Sequence, residues 1–466
     1  MANNKSQRWS ARIVLLGMLA LGLLPGAARG ADVVLPQDLE ACAESPDQSP
    51  EPESALWELK FQATYIRQEK FGFDAPYTGQ NSLSTTKEKS YSLSATAYLG
   101  VHAWTGGEFY LNAEMLQGVA FSNLQGMGGF TNAELEKVAG ANPIFYVPRA
   151  FVRQAWSMGG GSDHVESAPN QLAGTVDKRR LVLTIGKMSI PDVFDDNVFS
   201  HDVRTQFMNL AAVEYGAFDI AADARGYTIG AAMEYYHDDW VLRAGRFMVP
   251  RESNGLQLNF SIMKYHGDQI EVEHAHSIDG QPGKLRILYF RNAARMGKFQ
   301  DALDYAMNNG GTPAVANVRR SNAKHGYGAS LEQNLTSDLG LFARTSWADG
   351  ETETYSFTEI ERSQQVGFVL KGAGWDRGQD NVGVVFVRNG LSPVHRAYLA
   401  AGGLGFFIGD GRLNYHPEQI IEGYYSVALS GANAVSFDVQ RIVNPAYNGD
   451  RRGPVNVVGV RLHLEF

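Results

Sequence analysis

The sequence predicts an all-β fold, a transmembrane antiparallel β-barrel of about sixteen strands with an inward constriction loop. Three observations lead there. Polar and apolar residues alternate in runs of roughly ten that recur to the end of the chain; an export signal stands at its start; and no uncharged apolar run outside that signal reaches the length of a spanning helix. Any membrane crossing must therefore be made by strands that close on themselves. A mean hydropathy of −0.24 agrees, because only alternate residues of such a strand need be apolar.

The export signal occupies residues 1–30. Lys5, Arg8 and Arg12 form a basic start, Ile13 to Leu24 an uncharged apolar run, and Ala28-Arg29-Gly30 supplies the small residues of a cleavage site before Ala31. The run is too short for a membrane anchor, which needs about 20 residues. Residues 31–54 follow as an acidic, Pro-rich periplasmic N-terminal extension with Pro36, Pro46, Pro50 and Pro52 and almost no periodicity. Cys42 is the only cysteine, so no intramolecular disulfide forms, and its surroundings suit an incidental thiol better than a lipid anchor.

The barrel is assigned to residues 55–466. Trp57, Leu59, Phe61, Ala63 and Tyr65 interleave with polar residues; Tyr91 to Val101 alternates with Ser92, Ser94, Thr96 and Tyr98; Phe109 to Met115 alternates with Tyr110, Asn112 and Glu114. The pattern recurs at Leu181 to Lys187, at Tyr227 to Tyr235, and at Trp240 to Phe247. It continues at Gln269 to His276, Leu285 to Phe290, Tyr327 to Gln333, Leu339 to Trp347, Gln365 to Leu370 and Val382 to Val387. Ile420 to Leu429, Val435 to Ile442 and Val458 to Phe466 complete the series. In the last run Val458, Val460, Leu462, Leu464 and Phe466 share one face, suited to lipid, and Gly459, Arg461, His463 and Glu465 the other. His237-Asp238-Asp239 and Gly431-Ala432-Asn433 read as tight turns, and Trp57, Trp104, Trp156, Trp240, Trp347, Tyr235 and Tyr236 as interfacial girdles.

Residues 189–222 break the period. This stretch holds Pro191, then Asp192, Asp195, Asp196 and Asp202, then Arg204, and is too long for a turn. It either folds into the lumen as a constriction or stands outside as a loop. If inward, Asp195, Asp196, Asp202 and Arg204 are expected to meet lumen-facing strand residues, for which parity nominates Glu234, Arg243, Arg286 and Arg344. A guanidinium fork donates to vicinal hydroxyls and stacks on flat faces, so these arginines are candidate pore-lining groups.

Several patterns point to no chemistry. His274 and His276 share a face with Ile270 and Val272, which places them outward as an interfacial pair, and no third ligand stands near, so no metal site is assigned. Glycines 402, 403, 405, 409 and 411 lack the Lys-Ser/Thr ending of a phosphate loop and read as a loop bend, so no cofactor is expected. No Gly-x-Ser-x-Gly or other catalytic signature occurs, and no catalytic residue is assigned. The formal charge of −9, which becomes −13 without residues 1–30, argues against a nucleic-acid partner.

Asp195-Asp196-Asn197, His201-Asp202, Arg204 to Asn209 and Ala222 to Tyr227 resemble the carbohydrate-selective outer-membrane porins of the OprB type. So do Gly402-Gly403, Gly409-Asp410-Gly411, Glu418, Glu422 with Tyr424-Tyr425, Asn444-Pro445, Arg451 and Gly453-Pro454, together with Asn81-Ser82-Leu83 and Gly106-Gly107-Glu108 near the start. The resemblance runs from about Trp57 to Phe466. It implies a sixteen-stranded Gram-negative outer-membrane barrel, narrowed by inward loops lined with arginines and carboxylates, that passes sugars down their gradient. It also implies outer-membrane lipid and lipopolysaccharide as surroundings, the barrel assembly machinery as a partner recognising Phe466, and leaves a homotrimer open. The Gly-Asp-Trp-Gly-Gly segment of many members is absent, replaced by the acidic stretch. A general diffusion channel for small polar or anionic solutes is the alternative within transport, and a barrel-embedded enzyme or adhesin the alternative outside it. Mature protein recovered from outer membranes is expected to begin at Ala31, and N-terminal sequencing that finds Met1 retained would overturn the export reading.

Overall fold

A computed structural model describes residues 56–466 apart from positions 139 and 357. The export signal, the acidic extension and Cys42 therefore lie outside the described residues. Sixteen antiparallel strands close on themselves. They are β1 (Trp57–Lys70), β2 (Glu88–Trp104), β3 (Gly107–Val119), β4 (Ala150–Ser157), β5 (Arg179–Met188), β6 (Thr228–His237), β7 (Trp240–Phe247) and β8 (His266–Ile278). The circuit continues with β9 (Gln281–Met296), β10 (Arg320–Asn334), β11 (Leu339–Ala348), β12 (Arg362–Gly372), β13 (Arg377–Gly390), β14 (Glu418–Ser430), β15 (Asn433–Val443) and β16 (Val455–Glu465). Each strand pairs with its sequence neighbour and β16 returns to β1, where Tyr65 faces Leu462. A three-residue piece, Ile144–Tyr146, pairs with β3 beyond the end of β4.

The period-two reading survives on the outside. Val458 and Val460 are 39 % and 44 % exposed, while Arg461 and His463, of the opposite parity, are 1 % and 3 % exposed, turned to the lumen. Trp57, Trp104, Trp156, Tyr235 and Trp240 are exposed near one rim, and Tyr289, Tyr327 and Trp347 meet as tilted rings toward the other, at 5.3 and 5.7 Å between centroids. Two aromatics depart from expectation. Tyr236 faces inward, donating to Glu234 at 2.8 Å beneath the Arg180 guanidinium, and Tyr227 precedes its strand and is buried in the lumen. His274 stacks outward on Trp240 at 4.2 Å, as its parity requires.

Strand β4 was not legible as an alternation because both of its faces carry apolar side chains. Phe151 points inward and stacks on Tyr110 at 5.0 Å, while Trp156 is exposed on the outer face. The two rims differ. At the rim that also holds the chain's described ends, β2–β3, β6–β7, β8–β9 and β14–β15 join through two residues, with Asp238 and Gly431 at φ +56° and +54° as tight turns demand. One connection there is long: residues 158–178 carry a small hairpin of Ser162–Val165 and Gly174–Asp177. The other rim carries the long connections, including 120–149, 189–227 and 391–417. In the last of these Gly402, Gly409 and Gly411 all adopt positive φ, which makes the glycine cluster a loop bend.

The lumen is not an empty pipe. Inward residues toward the long-loop rim are apolar, among them Val385, Val387, Ile420, Val455 and Val457, and they pack against Phe130, Phe207, Met208 and Leu210 from the folded-in loops. Gly383 makes room for this: a Cβ there would lie 2.3 Å from the Tyr424 ring and 3.0 Å from Phe207. Phe207 meets Tyr424 edge-on at 5.0 Å. Placing a charge on the lipid face should act differently from one on the lumen face. Val460→Arg is expected to lower barrel stability by about 2–4 kcal/mol in urea titrations in lipid vesicles, and an unchanged midpoint would refute the outward assignment of Val460.

Candidate functional site

Residues 189–222 lie inside the sheet, held by side chains from strands all around it. Leaving β5, Ser189 donates its N–H to Asp192 at 2.9 Å, and Arg149 grips the same carboxylate with two bonds of 2.6 and 2.7 Å. Asp195 follows at φ +57° and is fully buried. Its carboxylate accepts from Arg344 Nε at 2.9 Å and from the Tyr215 N–H at 2.5 Å, while its own N–H donates to Glu271 at 3.0 Å. The remaining nitrogens of Arg344 donate to the carbonyls of Ser200 and Ala212, at 2.6 and 3.2 Å. One guanidinium thus joins both ends of the segment.

The middle of the segment reaches the opposite wall. Arg461 of β16 donates to the carbonyls of Val203, Thr205 and Gln206 at 2.6–2.8 Å, and Glu422 of β14 accepts from the N–H groups of Met208 and Asn209 at 2.5 and 3.1 Å. Asn209 then caps the short helix α1 (Leu210–Val213) by accepting from Ala211 N–H. The segment returns through Ala217, bonded to Ser346, and Asp219, paired with Lys324 at 3.2 Å.

A second connection, 120–149, also turns inward. Gly128 and Gly129 donate to Glu418 at 2.8 and 3.0 Å, and Asn132 caps the 3₁₀ turn Ala133–Lys137 while donating to Ser92 of β2. The two inward loops join through Leu210 N–H to Phe130 O and Ala133 N–H to Met208 O, both 3.0 Å.

Between them and the wall lies a cavity of about 340 Å³. Arg204 projects into it, donating to Glu114 at 2.7 Å, Glu134 at 3.2 Å and the Tyr98 hydroxyl at 3.1 Å. Asp202, Lys137, Glu136, Glu214 and the Arg149–Asp192 pair share the lining, with Tyr227 and Asn170. Burial opposes the charge on Glu134, yet Arg204 and Lys137 hold its carboxyl down to about 2. Burial raises Glu136 far above the carboxylate range and lifts Glu214 to about 7.

The sequence-nominated residues therefore divide. Asp202 and Arg204 line the cavity. Asp195 and Arg344 form the buried clamp. Arg243 does not meet Arg204; it pairs with Glu234, Glu271 and Glu273 at 3.0–3.1 Å on β6 to β8. Arg286 bonds Glu273 at 2.7 Å and Glu332 at 3.1 Å and stands 3.6 Å from the exposed Asp196. The single charged cluster expected from parity divides in two: Arg204 stands apart with Glu114 and Glu134, whereas Arg243 and Arg286 share Glu273 and connect through Glu271 and Asp196 to the Asp195 clamp. Glu134, Glu136, Lys137 and Asn170 were missed, since they sit in loops without period. Glu114, Tyr98 and Arg461 carried a signal, their polar parity on strands already assigned.

A closed sixteen-stranded sheet with loops folded into its lumen defines a porin-type channel. The chain belongs to the OprB family of carbohydrate-selective porins, whose signature matches residues 80–466. Its fold matches the high-pH structure of OprB from Pseudomonas putida with a TM-score of 0.65 at 17 % identity, over 88 % of this chain and 94 % of that one. The outer-membrane channel DcaP of Acinetobacter baumannii aligns over 88 % of this chain and 97 % of its own at 8 % identity, TM-score 0.49. No curated protein sequence matches the chain.

Removing the clamp should free the segment while the wall persists. Arg344→Ala leaves Asp195 buried without its partner, a loss of about 3–5 kcal/mol. Single-channel conductance is expected to rise and become noisy in folded Arg344→Ala, and an unchanged, quiet conductance would show that the clamp holds nothing.

Proposed function

We propose that the chain, exported by residues 1–30 and inserted in the outer membrane with its long-loop rim outward among lipopolysaccharide, lets neutral sugars diffuse through the cavity beside Arg204. The orientation follows the rule that bacterial barrels keep short turns on the periplasmic side and long loops outside. Phe466, 72 % exposed at the short-turn rim, is accessible to the assembly machinery.

One observation supports the sugar reading above others. Several side chains lining the cavity keep a buried polar atom without a protein partner: Glu136 Oε2, Asn170 Oδ1, His201 Nδ1 and Arg204 Nε. Such atoms cost free energy unless something passing satisfies them. A polyol brings donors and acceptors together and can satisfy both kinds, whereas an apolar solute satisfies neither. The charges around them are largely paired, so the cavity orients hydroxyl dipoles without holding an ion of either sign firmly. Loose binding is required of a conducting site, because a solute held tightly blocks it.

Arg204 is the proposed contact for a sugar hydroxyl. In planar bilayers Arg204→Ala is expected to weaken glucose block of ion current roughly tenfold, the value of one charge-assisted hydrogen bond of about 1.5 kcal/mol. Arg243→Ala, placed in a separate cluster, is expected to leave block unchanged. Wild-type channels that show no sugar block, with equal liposome-swelling rates for sugars and other solutes of equal mass, would instead indicate a general diffusion pore.

A further inference from the structure

We propose that Glu136 and Glu214 form a proton-binding carboxyl pair in the lumen that sets the channel's charge selectivity and makes it depend on pH. The proposal rests on the cavity being the permeation path, and it adds a proton-binding site to that path.

The two carboxyls come from different loops and are brought to one place by backbone. The two hydrogen bonds between residues 130–133 and 208–210 set the 3₁₀ turn Ala133–Lys137 beside α1. Glu136 lies near the end of that turn, Glu214 directly follows α1, and both line the same cavity. Glu136 Oε2 is buried and has no partner, so this carboxyl has an oxygen free to carry or accept a proton.

The neighbouring cations are committed elsewhere. Lys137 bonds Glu134 at 3.1 Å, Arg204 bonds Glu114 and Glu134, Arg149 is held by Asp192, and Arg344 by Asp195. Among the described residues neither carboxyl forms an ion pair, and Lys137, the cation that acts on both, is already bonded to Glu134. Burial, followed by the negative charge of Glu214, drives the Glu136 carboxyl up, and burial followed by Asp195 lifts Glu214 to about 7. Carboxyls so placed ionise last and one at a time. Other titratable groups face the cavity as well: His201 and Asp202 from the same segment as Glu214, Tyr98 and Tyr227 from the wall side, and His463 and Glu465 from β16.

The sign follows. Below neutrality the pair carries its protons, and the cavity's remaining cations and carboxylates are near balance. As pH rises past about 7, negative charge appears on Glu214 first, drawing cations and repelling anions.

Reversal potentials of the full-length channel in planar bilayers under a KCl gradient test this, from pH about 5 to about 9. The wild type is expected to become more cation-selective with a midpoint near neutrality. Glu214→Gln should remove that midpoint, and Glu136→Gln/Glu214→Gln should hold one selectivity across the range. A midpoint unchanged in either variant would assign the transition to other groups and overturn the proposal, as would a wild type with no transition. Should the double variant fail to assemble, the isosteric Glu214→Gln decides alone. Glucose block is measured on the same channels: its absence in the wild type would defeat the sugar reading, while the selectivity data judge the carboxyl pair separately.

Discussion

Every other feature of this structure depends on where backbone polar groups can find partners. In lipid they find none, so a chain that crosses by strands must close its sheet, and closure forces alternate residues outward and inward around the whole circumference. The exposed Val458 and Val460 and the buried Arg461 and His463 of β16 are consequences of that one constraint. Closure also moves the problem inside. Two long connections folded into the lumen bring their own N–H and C=O groups, and few of these can pair with a sheet whose hydrogen bonds are already used.

The inner wall answers with charge. Inward carboxylates accept loop N–H groups in pairs: Glu418 from Gly128 and Gly129, Glu422 from Met208 and Asn209. Within the loops themselves, Asp219 accepts from Tyr355 and Ser356, and Glu359 from Phe407 and Ile408. Inward guanidiniums take the carbonyls, with Arg461 on Val203, Thr205 and Gln206 and Arg344 on Ser200 and Ala212. Charge-assisted bonds of this kind are roughly twice as strong as neutral ones, which suits them to fixing irregular backbone. Much of the lumen's charge is therefore scaffolding for the loops.

That division explains what could be read from the chain beforehand. Alternation exposes the barrel because lipid imposes it residue by residue, and it failed only at β4, where Phe151 and Trp156 put apolar groups on both faces. It exposes which charged residues point inward, hence Glu234, Arg243, Arg286 and Arg344. It is silent on which of these meet a loop, another strand residue or a passing solute, because that depends on how residues 120–149 and 189–222 thread the lumen. Parity cannot separate Arg344, a clamp, from Arg243, a member of a strand-borne ion cluster. Nor can it find Glu134, Glu136 and Lys137, whose place follows from the junction of Phe130 with Leu210.

The two inward loops also define what remains for function. Once Arg344, Arg461, Glu418 and Glu422 are spent on backbone, and Arg243 and Arg286 on neighbouring carboxylates, the groups still facing the cavity are few. Arg204 is held on one side by Glu114 and Glu134 and keeps Nε unpartnered, so the scaffold positions the group proposed to meet a solute. Glu136 and Glu214 form no ion pair among the described residues. In the proposed path rigidity and recognition are separate: strongly paired charges hold the loops, and a small set of incompletely satisfied groups is left to meet a solute. Arg204 and its carboxylate partners are hydrogen-bonding and nearly balanced in charge, so the interaction the proposed path would offer a neutral polyol is many weak bonds exchanged for water, slowing a sugar without stopping it.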